Sequence, residues 1–346
     1  MSRSESQAPK SPRRFSRRGL LRGAAVGVAA STVGPLRIGA FGPSVALATD
    51  FEQSPAEAVG LTAYEREGQV FIRWNNSLVV SYRAHASLKY PYLSPLVGPA
   101  SGIPLTTESS LPYPHHRGVW LGCEPLNGGD YWSDGPLDQG QILSAGPKLG
   151  TVSDTSVVID DQCEWIRKEA SSPLVDRRKF TVRIPSERIR AIDVEIDLTA
   201  REDIRIESAK HSLFALRVAA DISPLEGGVL LNSNGDSGAE ATFGRPAAWC
   251  GYHGSRRFSK VVEGIAVFNH PDNFDGDCPW FTRDYGHLSP SPFNFLKQPW
   301  TLENGNTLAL KYCVVMHAGT PREANLDKLY QEWVNGNGRF IAVQSG

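Results

Sequence analysis

Polar and apolar residues alternate along most of the chain. In Gln69-Val70-Phe71-Ile72-Arg73-Trp74, Lys179-Phe180-Thr181-Val182-Arg183-Ile184 and Ala191-Ile192-Asp193-Val194-Glu195-Ile196-Asp197-Leu198 the alternation has a period of two. Leu78 to Tyr82, Ile204-Arg205-Ile206-Glu207, Val261 to Phe268 and Thr307 to Met316 are similar or richer in β-branched residues. Successive side chains of an extended chain point to opposite faces, so this period predicts half-buried antiparallel strands. One segment departs from it. Thr320-Pro321-Arg322-Glu323 has the form of a capping box with proline at the first helical position, and Leu326, Leu329, Tyr330 and Trp333 follow at three-to-four spacing. Many strands and one late helix predict an all-β fold: a large antiparallel two-sheet sandwich with a C-terminal helix packed on a sheet. Neither G-x-G-x-x-G nor G-x-x-x-x-G-K-[ST] occurs, so no nucleotide fold is indicated.

The N-terminal stretch follows another pattern. Ser16-Arg17-Arg18-Gly19-Leu20-Leu21-Arg22 precedes an Ala/Gly-rich apolar run to Val33, and Ala46-Leu47-Ala48 offers a cleavage site. This reads as a twin-arginine (Tat) signal peptide over residues 1–48, which makes the Tat export machinery a partner and predicts a soluble extracellular or periplasmic product. Taking away eight of the 36 Lys/Arg and one of the 37 Asp/Glu leaves 28 and 36, a formal charge of −8. Such a balance argues against a nucleic-acid partner, and the mature chain shows no transmembrane segment. The five cysteines, Cys123, Cys163, Cys250, Cys278 and Cys313, form no C-x-x-C pair. Export would permit one or two disulfides, with the pairing open.

Candidate chemistry is concentrated in three stretches. The first, Leu111 to Gly122, sets two prolines, His115, His116 and Arg117 directly before an apolar run. The prolines disfavour helix, and an extended path would point the two imidazoles to opposite faces unless the loop bends. Glu124, Asn127, Asp130, Tyr131 and Trp132 follow closely. The second stretch carries His270 and Asp272, then Trp280, Arg283, Asp284, Tyr285 and His287. The third holds Arg245, Trp249, Tyr252 and His253. Imidazole, carboxylate, guanidinium and aromatic groups together suit a polyhydroxylated ligand, because rings cover the C–H faces of a sugar while polar groups bind its hydroxyls. The expected catalytic set is His115, His116, Arg117, Asp130, Asp284 and His287. The expected substrate-binding set is Glu124, Asn127, Trp132, Arg245, Trp249, His270, Trp280, Arg283 and Tyr285.

The stretches "YPYLSPLVGPASGIPLT", "PHHRGVWLG" with "NGGDYW", "GRPAAW", "GIAVFNHPDN" and "PWFTRDYGHLSPSPF" resemble the bacterial domain-of-unknown-function family labelled PmoA-like, over nearly all of residues 49–346. The resemblance implies one domain over 49–346 in a secreted protein associated with carbohydrate breakdown. The label itself points to a membrane subunit of a methane oxygenase, which does not match a mature chain without an apolar span. The PHHRG segment is also distantly similar to the His-Gly-Phe-Ala-Arg region of galactose mutarotase-type aldose epimerases. That similarity implies a β-supersandwich.

Three functions follow as expectations. The first is an exported enzyme cleaving or isomerising a glycoside or modified sugar by His/carboxylate acid–base chemistry, with no cofactor required. Glycoside hydrolysis of the ordinary kind would need two facing carboxylates. The second is a divalent-metal enzyme using His115 or His116, His270 and His287 with Asp272 or Asp284. The third is a non-catalytic sugar-binding module with Trp120, Trp132, Trp249 and Trp280 as platforms. No G-x-S-x-G supports a nucleophilic serine.

Overall fold

In the computed structural model, the structure describes residues 59–275 and 278–340. The export signal expected over 1–48 lies outside the described residues. Two large antiparallel sheets face each other. The eight-stranded sheet runs, in spatial order, Leu61–Arg66, Gln69–Trp74, Ser77–Arg83, Tyr92–Leu96, Val119–Glu124, His211–Arg217, His287–Pro290 and Trp280–Arg283. The nine-stranded sheet is built around three long strands, Leu174–Ser186, Ile189–Ala200 and Thr307–Ala318, with Ser156–Ile166 beside them. Ile204–Ile206 pairs instead with Trp300–Leu302 in a two-stranded ribbon. The expected two-sheet sandwich is therefore what the chain forms.

The period of two decides which side chains enter the core. Along Ser156–Ile166 the residues Val157, Ile159, Cys163 and Trp165 are buried while Asp160 and Gln162 are exposed. Phe214 of the eight-stranded sheet stacks on Tyr312 of the other, ring centroids 4.5 Å apart. Asp161 keeps the period and so is a polar residue pointing inward, where it accepts hydrogen bonds from Tyr82 Oη and Ser144 Oγ, each at 2.7 Å. Asp176 is likewise fully buried. It takes both Nε and Nη2 of Arg178 at 2.7 Å and Trp165 Nε1 at 2.8 Å, so its desolvation is offset by charge-assisted bonds. All five cysteines are buried and free, so none of the disulfides that export would permit is formed.

The C-terminal helix spans Leu326–Asn335, later than the capping box suggested. Thr320 and Glu323 do make the reciprocal contacts, Thr320 N–H to Glu323 Oε2 at 2.8 Å and Glu323 N–H to Thr320 Oγ1 at 3.3 Å. They close a turn rather than a helix, because Asn325 adopts the left-handed conformation at φ 54° and interrupts the path. The helix buries Leu326 and Trp333 against Ala191, Trp249, Phe268, Cys313 and Val315 of the nine-stranded sheet. That sheet is thereby covered on its far side. Among the described residues the far side of the eight-stranded sheet carries no helix of this kind, and the chemistry gathers there.

Candidate functional site

Register determines what that outer face displays. Residues directly opposite in an antiparallel pair share a face. Glu124 pairs with His211, Trp120 with Ala215, and Arg217 with His287, which in turn faces Arg283. These positions form rows across four strands, on the side opposite the core residues Leu121 and Phe214.

Two loops fold onto this face. The Leu111–Arg117 segment does not stay extended. Tyr113 N–H bonds Ser110 O at 3.1 Å and His116 N–H bonds Tyr113 O at 3.0 Å, while Tyr90 Oη donates to the His115 carbonyl. The bend corrects the expectation that the two imidazoles diverge: their rings meet edge to face at 4.5 Å. Gly118 ends the turn at φ 59°, with the Leu93 carbonyl oxygen standing where a Cβ would be, so this position of the His-His-Arg-Gly run admits only glycine. The second loop follows the Val119–Glu124 strand and delivers Trp132. Its ring meets Trp120 edge-on at 5.1 Å and stacks on His211 at 5.7 Å.

The result is layered. His116 stacks on His287 at 4.5 Å and on Trp120 at 5.3 Å, and all three are almost completely buried. Over them lie His115 and Tyr113, the latter 38% exposed and 5.1 Å from Tyr285. At one side His211 Nδ1 lies 2.8 Å from Glu124 Oε2, with each side chain about one third exposed (36% and 35%). Arg117 donates to Asp134 Oδ1 at 2.8 Å and lies over the rings of Tyr90 and Tyr92.

Burial sets the protonation of this cluster. It lowers His115 below the ordinary imidazole value and, with His115, Arg217 and His211 adding to it, pushes His116 down to about 2. His287 is held well below the ordinary value by burial and then by His116 and Arg217. Burial, helped by Tyr113, raises Tyr285 to about 12. Near neutral pH these three imidazoles are uncharged, each able to donate from one nitrogen and accept at the other. The buried nitrogens Trp120 Nε1, Trp132 Nε1 and His287 Nδ1 have no hydrogen-bond partner among the described residues.

Of the expected site residues, the fold brings together His115, His116, Arg117, Glu124, Trp132, Arg283, Tyr285 and His287. Asp130 lies beside them but serves its own turn, accepting from Ser133 Oγ and from the Trp132 and Ser133 amides at 2.9 Å. Burial works to raise it, yet these bonds prevail and leave it below the ordinary carboxylate value. Asp284 Oδ1 accepts the Ala239 amide at 2.9 Å, and Asn127 clasps Glu202 and the Asp203 carbonyl. Arg245 is exposed. Trp280 is fully buried, with Nε1 donating to Ala247 O at 2.9 Å. Trp249 and His270 pack under the C-terminal helix, Trp249 Nε1 donating to Asp327 at 2.8 Å and His270 meeting Trp333 at 5.3 Å. The donor set that combined His270 with His287 is thus not assembled, and among the described residues no group of three or more His, Cys, Asp or Glu could hold a metal ion.

His211, Arg217 and Asp134 were not singled out from the sequence. A signal existed for two of them: in His211-Ser-Leu-Phe-Ala-Leu-Arg217 the terminal residues share parity and therefore a face.

A cavity of about 410 Å³ opens elsewhere, on the nine-stranded sheet. Asp160, Lys179 and Glu195 share one register row across the sheet and Gln162, Arg177 and Asp197 the next, and Glu195 Oε1 accepts from Arg339 Nε at 3.0 Å.

The strands and loops that build the histidine-rich face all fall within residues 62–331, which match the model of a family of unknown function. The chain belongs to that family, DUF6807. No curated protein matches this member of it. Among solved structures, galactose 1-epimerase from Lactobacillus acidophilus NCFM is similar at 10% identity and a TM-score of 0.38, over 75% of this chain and 99% of that one. A GalM/aldose epimerase homologue from C. elegans is similar at 9% identity and a TM-score of 0.32, over 76% of this chain and 97% of that one. The GH36 α-galactosidase AgaB from Geobacillus stearothermophilus gives 11% identity and a TM-score of 0.36, over 75% of this chain. The match spans about two fifths (41%) of that α-galactosidase's length. At such scores the likenesses carry no chemistry across. Among the described residues, no helix is long and apolar enough to cross a membrane.

Proposed function

We propose that this DUF6807 member is an exported carbohydrate-active enzyme that cleaves or isomerises a glycoside or modified sugar by imidazole/carboxylate proton transfer on the outer face of the eight-stranded sheet. The observation that carries the reading is the Glu124–His211 pair at 2.8 Å, partly open to solvent and stacked on Trp132. With Glu124 accepting from Nδ1, Nε2 of His211 becomes the proton acceptor, and the carboxylate steadies the imidazolium that forms. His115, half-buried and uncharged near neutral pH, is the second proton-transfer group. Tyr113 and Tyr285 offer rings for the C–H face of a sugar, and Arg117 and Asp134 offer hydrogen bonds at the rim. His116 and His287, lying deeper, support His115 and Tyr113 from below. No cofactor is needed for this chemistry. The twin-arginine stretch before Val33 is the basis for including export through the Tat machinery.

The test is turnover on a panel of glycosides, uronides and free sugars by the chain from Thr49 onward, with His211→Ala, His115→Ala and a chelator-treated sample in parallel. Each substitution is expected to lower kcat by about 10²–10⁴, the range of a general acid or base, while chelation has no effect. Turnover indifferent to both substitutions would sink the reading. Loss on chelation would favour the metal enzyme instead, and binding without turnover the sugar-binding module.

A further inference from the structure

Several arginines in this chain meet carboxylates when they leave water, while Arg190, 7% exposed, donates to the Val97 carbonyl at 2.8 Å. Arg178 pairs with Asp176, Arg183 with Asp193 and Arg256 with Asp221. Two arginines on the histidine-rich face are placed otherwise. Arg217 is 6% exposed, and its described partners are His116 Nδ1 at 3.4 Å and the face of Tyr285 at 4.5 Å. Its Nε is buried without a hydrogen-bond partner among the described residues. Arg283 lies over the rings of Phe281 and Phe243 at 4.0 and 4.7 Å, and its Nη1 donates to the Thr282 carbonyl at 2.9 Å. Among the described residues neither has a carboxylate within ion-pair distance. Both stand directly opposite His287 in the sheet register, one on each neighbouring strand.

A guanidinium taken out of water without a counter-ion is costly, and aromatic faces offset only part of that cost. Two of them flanking one buried neutral imidazole concentrate positive potential where the groups in contact with them are uncharged. The neutral His287 and His116 cannot balance it, and burial lowers Arg217 itself. An anion supplied by the ligand would.

We propose that the substrate is an anionic sugar, a uronate or other carboxylate-bearing glycan unit, whose carboxylate is bound by Arg217 and Arg283, the two guanidiniums that flank His287. The proposal rests on the reading of this face as a sugar site and narrows its substrate class. Arg217 and Arg283 would then decide specificity by charge, while Glu124–His211 and His115 act at the reacting bond.

The experiment measures binding of matched pairs, D-glucuronate against D-glucose and D-galacturonate against D-galactose, with the methyl ester of each uronate as a control of equal size. Calorimetry on the wild-type chain, Arg283→Gln and Arg217→Lys reports the affinities, and a thermal melt of each variant reports folding. The uronate is expected to bind about tenfold or more tightly than its neutral partner and its ester, as a charge-assisted guanidinium–carboxylate contact should. In Arg283→Gln, whose guanidinium is only partly buried, the ratio of uronate to neutral-sugar affinity should shrink. Arg217→Lys, keeping the charge but losing the planar fork, should fall between. Equal binding of both members of each pair overturns the anionic class and leaves the sugar site standing. A preference that survives both substitutions overturns the assignment to these arginines. Binding of no sugar at all, with an arginine-dependent affinity for the non-sugar anion succinate, overturns the sugar reading together with this proposal.

Discussion

The outer face of the eight-stranded sheet and the helix-covered face of the nine-stranded sheet contain the same kinds of residue. One has His115, His116, His211, His287, Trp120 and Trp132; the other has His270, Trp249 and Trp333 with Asp272 and Asp327. Unpartnered nitrogens do not separate them, since among the described residues His270 Nε2 and Trp333 Nε1 are buried without a hydrogen-bond partner just as His287 Nδ1 is. Cover separates them. On the nine-stranded sheet the Leu326–Asn335 helix closes over the aromatics, and Trp249 is tied to that helix through Asp327. On the eight-stranded sheet the cover is a proline-rich bend that leaves Tyr113, Glu124 and His211 reachable. The same kinds of side chain are sealed by a helix on one face and left partly reachable by a loop on the other, which is the face proposed to take a ligand.

The sharpest way to break this comparison is Trp333→Ala. Emptying the space under the helix should cost about 3–5 kcal/mol, measured by denaturant unfolding, with kcat of the remaining folded protein unchanged. A loss of turnover larger than the loss of folded protein would join the two regions functionally. On the open face His211→Gln should do the reverse, lowering turnover at least about a hundredfold while moving stability by less than about 1 kcal/mol.

Acid should also distinguish a wild-type chain from one with the open cluster altered. His115, His116 and His287 have folded values held below the unfolded imidazole value of about 6.5, so the unfolded chain binds more protons between the two. Their contribution is complete above about pH 6.5 and is lost as pH falls toward the folded values. Between about pH 6.5 and 5, before most carboxylates titrate, each group contributes up to about 1.4 kcal/mol per pH unit. His116→Gln should flatten the stability profile in that window by about this slope, and an unaltered slope would show that His116 is not held neutral. The smallest effect is expected at the cap of the closed region: Asp327→Asn, which weakens the bond from Trp249, should cost about 1 kcal/mol and leave turnover alone.

Much of the open face was legible in the chain. The strand period placed Gln69–Trp74 and Leu78 to Tyr82 of that sheet, and the His115, His116, Arg117 cluster before its apolar run drew notice by composition, whereas the His211–Arg217 strand was not read from the sequence. Asp130 and Asp284 read as catalytic carboxylates because sequence shows a residue's chemistry but not its commitments. One is taken up by the Asp130–Ser133 turn and the other by the amide of Ala239. His270 and Trp280 read as site residues because they lie in the same stretch as His287, yet His270 follows a strand of the other sheet, and Trp280, on the same strand as Arg283, has the opposite parity.

By itself the sequence determined the sandwich, the C-terminal helix and the segments bearing titratable groups, because a period of two or of three to four is a local property that burial enforces residue by residue. Tertiary structure decided which groups meet. Arg217, His287 and Arg283 come from strands brought side by side by register, and His211 finds Glu124 across 87 positions of chain. The bend that joins His115 to His116 depends on contacts with Tyr90 and Thr107 that no local pattern encodes. Strand parity is written in the residues themselves, whereas strand order and loop closure arise from the packing of the whole chain.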